Sequence, residues 1–440
     1  MKENAMKRGN RRMRSGIAAL TMLVIGGVTL AGCSGDDDPK ASDGQITLKV
    51  AVEMTQQGGN PPYDAVLDDF EAANPDIKIE RIYPPQDSYA QTLLTQLQAG
   101  TAPDVIYMPS GGGSALSIGT VSKAGFIVDL SDRDWATKVL PESQRELFSL
   151  QGEGIYGIPL AYDGIATAYR ADLFDKYGIT VPTTKQELLD ACKESLDKAG
   201  VPFAALPGTE PDSTAQFTLS VATQYVLNDD PDWNAKRIAG EVTFADTPGW
   251  VKSLEYMADM LKGGCFPSTV ASDSYDTSPA QVANGETLSF LASTVGSIPS
   301  LLSHNDEGTF NLFVTPMEDA DDTIFMMNAG SALTINKKTE HMDAALKLLE
   351  YFTTADEAER FAAVGHVIPL GAIGTGEGLG DDITGLTDFV KNPERTRIPI
   401  HKAWPTADSY AVLREKIQGL LTGQFTPHDI LVAMDDAWGE

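Results

Sequence analysis

Short apolar runs and amphipathic segments alternate along the chain from residue 46 onward. Three runs have the β-branched and aromatic content of strands, namely residues 46–53, 77–83 and 102–108. Two segments between them carry apolar residues at helical spacing and end at Asn-Pro and at Gly, namely residues 63–74 and 88–100. The order strand, helix, strand, helix, strand predicts a doubly wound α/β layer.

The alternation continues to the C-terminus. It predicts helices at residues 183–199, 217–227, 249–262, 279–284, 342–353, 355–364, 409–421 and 427–438. It predicts strands at residues 201–206, 286–291, 310–316 and 324–335. Residues 207–216, PGTEPDSTAQ, have the composition of a polar loop that leads into the apolar helix 217–227.

The segment 152–174, GEGIYGIPLAYDGIATAYRADLF, contains two strand-like parts separated at Tyr162-Asp163-Gly164. A carboxylate between two buried strands is costly unless it meets solvent or a ligand, and a glycine allows unusual backbone angles beside it. We therefore expect the chain to cross here between two lobes, with Asp163 pointing into the space between them.

This segment resembles the "YGIP... YN..LF" segment of bacterial extracellular solute-binding proteins of ATP-driven importers, the carbohydrate-leaning, maltose-binding-protein-like family. The same order of elements can be followed from Ile46 to the C-terminus. The resemblance implies an α/β, two-lobe periplasmic-binding-protein fold of type II. Each lobe would be a mainly parallel sheet flanked by helices, and three hinge crossings would join the lobes.

The resemblance also implies lobe boundaries. Lobe 1 would comprise residues 45–161 and 317–390, and lobe 2 residues 162–316 and 391–440. The second crossing is expected at residues 310–316 and the third near residues 389–397.

Ligands of open α/β sheets bind beyond the carboxyl ends of the strands, which here means residues 54–60 and 109–114. The second loop, PSGGGS, lets a partner approach its backbone, although a plain flexible turn is the alternative. Segments similar to the family's "G..AM...G.W" and "G.lP" motifs add further positions, but Val295 is near the place of a Trp that many relatives carry. The candidate ligand-binding residues are Met54, Ser110, Gly111, Tyr162, Asp163, Asp212, Gln216, Phe217, Ser293, Thr294, Asn328, Gly330, Ser331, His366 and Trp404.

Some of these candidates have a structural alternative. Phe217 could be a core residue, and Asp212 and Gln216 could lie in a surface loop. His366 is more often a hydrogen-bonded structural residue than a ligand contact. Trp404, flanked by Pro and polar residues, is the best remaining platform for a sugar ring, with packing at a lobe edge as the alternative.

The composition is that of a globular protein, with 440 residues, 42% hydrophobic and 22% charged. The formal net charge of −29 disfavours nucleic acid and anionic lipid as partners. At the N-terminus, basic residues precede an apolar run at 17–30 that is too short for a membrane span and ends in Leu-Ala-Gly-Cys. This arrangement resembles the bacterial lipobox, which implies a lipoprotein signal peptide at 1–32, lipid on Cys33, a flexible tether at 33–44 and anchoring at the outer face of the cytoplasmic membrane.

Two further cysteines, Cys192 and Cys265, are assigned to the same lobe. They could form a disulfide outside the cell or remain two buried thiols, and the sequence leaves both possibilities open.

No motif for catalysis is present: the sequence lacks H-E-x-x-H and G-x-S-x-G, and its five histidines are scattered. The G-x-G-x-x-G at Gly152, Gly154 and Gly157 precedes strands, so a hairpin turn is expected rather than a dinucleotide site. We expect no enzyme activity, no cofactor and no metal.

The leading hypothesis is a monomeric substrate-binding lipoprotein of an ABC importer. It would capture a carbohydrate, most simply an oligosaccharide, by hinge closure and deliver it to membrane permease subunits. The alternatives are a cell-surface lipoprotein glycosidase, or a binding protein for a peptide, a polyamine or a metal complex.

Overall fold

The structure is a computed structural model that describes residues 45–54, 59–112, 114–150 and 152–439. The predicted signal peptide 1–32, the lipidated Cys33 and the tether 33–44 lie outside the described residues. Among the residues described, none of the helices combines the length and the apolar character needed to span a bilayer.

Short strands alternate with helices throughout the described chain. The strands are β1 Ile46–Ala51, β2 Ile77–Ile82, β3 Val105–Pro109, β4 Ile158–Pro159, β5 Asp163–Arg170, β6 Ala204–Ala205, β7 Ser289–Thr294, β8 Phe310–Phe313, β9 Phe325–Asn328, β10 Ser331–Ile335 and β11 Thr396–Arg397. The helices are α1 Pro61–Ala73, α2 Gln86–Ala99, α3 Ile118–Lys123, α4 Asp134–Val139, α5 Ala171–Tyr177, α6 Lys185–Glu194, α7 Pro211–Asp229, α8 Trp233–Ile238, α9 Pro248–Lys262, α10 Thr277–Ala283, α11 Ile298–His304, α12 Met342–Phe352, α13 Ala355–Gly365, α14 Thr387–Lys391, α15 Asp408–Leu421 and α16 Pro427–Asp436.

The first sheet has the strand order β2-β1-β3-β10-β4. Strands β2, β1 and β3 are parallel, whereas β10 is antiparallel to both of its neighbours. Helix α1 contacts β2 and α13 and buries Val66, Leu67 and Phe70. Burying a side chain of this size contributes about 1.5–3 kcal/mol, so this apolar face holds the helix in place.

The second sheet has the order β11-β9-β5-β7-β6, and β8 also pairs with β5. Strand β5 runs antiparallel to β7, β8 and β9, while β6 is parallel to β7 and β11 is parallel to β9. The prediction of two sheets flanked by helices is confirmed. The second sheet is mixed rather than mainly parallel because its central strand, β5, runs against its neighbours.

The chain passes between the two sheets three times. The first passage lies between β4 and β5, at Leu160–Tyr162, where the sequence predicted it. The second lies at Ala329–Gly330, later than the predicted residues 310–316, because both β8 and β9 still pair within the second sheet. The third lies between α13, which packs on α1 of the first layer, and residues 381–386, which contact β8 of the second sheet; it comes earlier than the predicted residues 389–397.

Two predicted segments differ from the structure. The polar loop predicted at 207–216 is largely helical, since α7 begins at Pro211, a residue whose fixed φ suits the first turn of a helix. The single strand predicted at 324–335 is two strands in different sheets, β9 and β10. By contrast, the helix predicted from residue 183 is present as α6, and it begins with a capping box in which the Thr184 side chain accepts from the Glu187 N–H.

Cys192 and Cys265 form a disulfide with a Cα–Cα distance of 4.7 Å. Cys192 lies in α6 and Cys265 follows α9, and both are fully buried in the second core. The sequence left this pairing open, and the structure resolves it in favour of the bridge.

Candidate functional site

A cavity of about 830 Å³ lies where the two layers meet. We call it the inter-sheet cavity. Loops beside the first sheet form one wall, segments packed in the second core form the other, and Tyr162 at the first crossing also lines it. Its lining includes Gly111, Gln144, Tyr162, Asn234, Arg397, Lys402 and Trp404.

The loop after β3 forms part of the first wall. Gly111 has φ +77°, donates its N–H to the Leu147 carbonyl at 2.7 Å and accepts from the Gly119 N–H at 3.0 Å. Such a φ is accessible to glycine at little cost. The missing Cβ also lets Lys402 approach, because a Cβ at Gly111 would lie 3.4 Å from Lys402 Cδ and 3.2 Å from Leu147 Cδ2.

Lys402 joins the two walls. It follows β11 in the chain, and its Nζ donates to the Ser110 carbonyl at 3.3 Å. Burial lowers the pKa of Lys402 to about 8. The neighbouring His401 is buried, and its pKa is held well below the usual range by burial and, secondarily, by the charge of Lys402.

A second group of polar residues lies beside the cavity, at the crossings. We call Ser110, Asp163, Asn328 and Gly330 the hinge cluster. Asp163 pairs with Asn328 along β5 and β9, the Asn328 Nδ2 donates to Ser110 Oγ at 3.2 Å, and the Ser110 N–H donates to the Gly330 carbonyl at 3.1 Å. The cluster therefore ties strands of both sheets together at the point where the chain crosses.

Asp163 is the carboxylate of this cluster. Burial raises its pKa to about 6, while backbone N–H groups of Gly164, Gly296 and Val295 act in the opposite direction. The Gly164 N–H donates to Asp163 Oδ1 at 2.8 Å. Gly164 has no room for a side chain, since a Cβ would lie 2.7 Å from the Met326 carbonyl oxygen. Asp163 thus faces the loop after β7, as expected of a residue between the two layers.

Thr294 ends β7 at the start of that loop. An aromatic residue from another part of the chain, Tyr275, lies near it, and the sequence did not indicate this residue. Thr294 is exposed, and its Oγ1 lies 3.1 Å from Ser297 Oγ, which in turn lies 3.1 Å from the Tyr275 hydroxyl. Tyr275 is 41% exposed. Ser293 is buried and donates to the Thr294 carbonyl at 3.3 Å. Tyr275 stands in the polar string SDSYDTSP, and an aromatic residue in such a string was the only sign in the sequence that it could belong to the site.

Trp404 belongs to an aromatic cluster. Its ring lies 5.2 Å from Phe244, 5.6 Å from Trp438 and 5.9 Å from Trp250, and its Nε1 donates to Asn234 Oδ1 at 3.2 Å. Only 3% of Trp404 is exposed, although its edge reaches the inter-sheet cavity. The structure favours the packing alternative over a ring platform because no open face remains.

The candidates on α7 are engaged elsewhere. Asp212 accepts from Tyr410 at 2.9 Å and from Arg414 at 2.7 Å, and Gln216 donates to the Tyr410 hydroxyl at 3.3 Å, so both hold α7 to α15. Phe217 is fully buried in the second core, 5.9 Å from the Tyr256 ring. The prediction that Phe217 contacts a ligand is wrong, since its side chain reaches no surface.

The remaining candidates are His366, Met54 and Ser331. His366 ends α13 in the left-handed region at φ 50°, and its ring bonds Asp382, which favours the structural alternative. Met54 is half-buried, and its N–H donates to the Pro84 carbonyl at 3.3 Å. Ser331 pairs with Pro109 in the first sheet. Of the fifteen candidates, Gly111, Tyr162 and Trp404 line the cavity.

Gly111→Ala should destabilise the loop after β3. A positive φ costs a residue with a Cβ about 1–2 kcal/mol, and the new methyl group would press on Leu147 and Lys402. Urea unfolding should show a loss of this size. Gly112→Ala is the matched control, because its Cβ would meet no atom closer than 3.7 Å. Equal stability of the two variants would contradict this view of the loop.

Two mixed α/β layers, three crossings and a cavity between the layers define the class of type II solute-binding folds. A family model described as bacterial extracellular solute-binding protein matches residues 56–359. Because this match covers more than half of the 440 residues, the chain belongs to that family.

Individual relatives are distant. The chain is 22% identical over 357 residues to the multiple sugar-binding protein of Streptococcus mutans, covering 78% of this chain and 80% of that protein. A structure from work on xylan utilization by Caldanaerobius polysaccharolyticus matches with a TM-score of 0.74 at 19% identity, covering 89% of this chain and 99% of that one. The binding protein RafE in complex with raffinose matches with a TM-score of 0.71 at 19% identity, covering 90% and 99%. These likenesses support the fold assignment.

Proposed function

We propose that the protein is the substrate-binding lipoprotein of an ABC importer and captures a carbohydrate between its two layers. The observation that carries the proposal is the inter-sheet cavity, whose walls come from both layers and whose lining includes Tyr162 at the first crossing. A ligand that contacts both walls favours the closed arrangement, and closure presents a defined shape to permease subunits. Two relatives support this ligand class by their names: one is a multiple sugar-binding protein, and the other is RafE in complex with raffinose.

Within this proposal, the ligand residues fall into two groups. Gly111, Gln144, Asn234 and Lys402 offer backbone and side-chain polar groups in the cavity. Asp163, Thr294 and Asn328 offer hydrogen-bonding groups at the crossings, and the exposed ring of Tyr275 supplies an apolar face in place of Trp404. A sugar needs both hydrogen-bonding groups and an apolar surface in its site, because its hydroxyl groups surround apolar ring faces.

The alternatives find less support. A glycosidase needs a pair of carboxyl groups about 5–10 Å apart, and Glu146 is the one carboxylate among the described residues that line the cavity. A polyamine would need several carboxylates there. Among the described residues, no group of three or more His, Cys, Asp or Glu is arranged to hold a metal ion. We therefore propose binding without catalysis, and a lipid on Cys33 as the membrane anchor.

A panel of oligosaccharides should identify binding. At a ligand concentration 100 times the dissociation constant, the folded state gains about 2.7 kcal/mol, which raises the melting temperature measurably. Chromatography of the incubated sugars tests for products. A melting shift with intact sugar is the expected result; sugar cleavage would replace this proposal with the glycosidase alternative, and no shift with any sugar would count against it.

A further inference from the structure

The charges of the inter-sheet cavity are opposite to those of the whole chain. The chain has a formal net charge of −29. Among its described lining residues, the cavity has three basic side chains, Lys123, Arg397 and Lys402, and one acidic side chain, Glu146. An excess of positive charge in a concave site attracts anions, and low-dielectric walls strengthen the attraction. A neutral sugar does not require such an arrangement.

Within the described part of the chain, Lys123, Arg397 and Lys402 form no salt bridge. Arg397 donates to the carbonyls of Glu394 and Thr396, both at 2.8 Å. The hydrogen bond described for Lys402 goes to a neutral carbonyl, that of Ser110 at 3.3 Å. Three charged donors thus remain available beside the cavity.

Lys402 is the best placed of the three. Lys123 is exposed, and Arg397 and Lys402 are both half-buried, but the Lys402 side chain lies against Gly111 and reaches from the second wall to the first. A partly desolvated ammonium without a counter-ion is unfavourable, and the lowering of its pKa to about 8 has burial as its cause. An anion delivered by a ligand would remove this cost and would gain a charge-assisted hydrogen bond.

The aromatic surfaces point the same way. Sugar sites commonly gain affinity from an aromatic ring face. In the inter-sheet cavity, Tyr162 is 2% exposed and Trp404 is 3% exposed, so neither offers an open face. The Tyr275 ring is not part of the lining of this cavity, so within it charged hydrogen bonds would supply the affinity.

We propose that the sugar bound by this protein carries an anionic substituent, a carboxylate or a sulfate or phosphate ester, and that this substituent docks on Lys402 with Arg397 and Lys123 nearby. This inference rests on the proposed function, since it names the class of carbohydrate that the same cavity takes. Arginine suits the planar, bidentate geometry of a carboxylate, and lysine acts as a point charge for any of the three groups.

The test uses matched sugars and the full-length chain in mild detergent. Tri-galacturonate and its methyl ester have the same length and linkages, and they differ in the charge of the carboxylate. A sulfated oligosaccharide and its desulfated form make a second pair, which tests a sulfate ester in place of a carboxylate. Calorimetric titration should give tighter binding for one acidic member than for its neutral partner. Lys402→Met should weaken that acidic sugar about 10- to 100-fold, the loss expected for one charged hydrogen bond, and should change the neutral partner less.

Lys262→Met is the matched control, because Lys262 is exposed on α9 and outside the cavity, so the preference for the acidic sugar should persist in that variant. Neutral sugars that bind as tightly as their acidic partners would overturn this inference and leave the proposed function standing. If no sugar binds, the proposed function and this inference fail together. The ligand-free protein tests the premise about Lys402 separately. An uncompensated ammonium predicts that Lys402→Met raises the melting temperature, whereas a fall would show that the bond to Ser110 is simply structural.

Discussion

Replacing both Cys192 and Cys265 with alanine should lower the free energy of unfolding by about 4 kcal/mol. The bridge joins residues 73 positions apart, and in the chain-entropy account the loss on opening a loop lies between about 3 kcal/mol for 15 residues and about 4.7 kcal/mol for 100. Both side chains are fully buried, so removing the two sulfur atoms also leaves a small cavity, which adds to the loss. Urea unfolding of the double variant and the parent measures the loss.

Each single variant should resemble the double variant, since one cysteine cannot form the bridge. Reduction of the unfolded parent followed by refolding under reducing conditions should reproduce the loss. Thiol titration of denatured, unreduced protein should find at most one free thiol, that of Cys33, among the three cysteines. Free thiols at Cys192 and Cys265 would refute the bridge.

Asp163→Asn should make the ligand-free protein more stable above pH 6. Burial raises the pKa of Asp163 from 3.8 to about 6, so the folded state binds this proton more tightly than the unfolded state. Its contribution to stability is therefore fully present below pH 4 and is lost as the pH rises to 6. The cost at neutral pH is up to about 3 kcal/mol, reduced by the screening that partial exposure allows.

The measurement is the free energy of unfolding from pH 3.5 to 7.5 for parent and variant. The two curves should converge at low pH and diverge between pH 4 and 6. The pKa of Glu53 is also raised by burial, to about 7, and gives a slope of the same sign, so the difference between the curves isolates Asp163. Asp276→Asn, at an exposed carboxylate, is the control. Parallel curves for parent and Asp163→Asn would contradict the burial of this carboxylate.

Much of the fold could be predicted from local pattern. Strand β1 and helices α1 and α12 have apolar spacing that admits one interpretation, and they lie where expected. The start of α7 could not be predicted, because Pro, Asp, Ser and Thr are common both in loops and in the first turn of a helix. The division between β9 and β10 depends on which sheet each strand joins, and only the tertiary structure decides that.

The candidate site shows the same division between local and long-range information. Asp163 was evident because a carboxylate interrupts apolar strands. Lys402 was missed although it stands in PIHKAWPTAD beside Trp404, since a lysine next to an aromatic residue carries no sign of what will face it. The contact of Lys402 with Ser110 spans 292 residues of sequence, and the pattern along the chain holds no information about such a pair.

The strand order has a consequence for the timing of folding during synthesis. β10 occupies an inner position of the first sheet, between β3 and β4, yet it is supplied only at residues 331–335, and the second sheet waits for β11 at residues 396–397. Neither sheet can be completed until most of the polypeptide has emerged. Contacts so distant in sequence form slowly, so the chain stays incompletely folded through most of its synthesis.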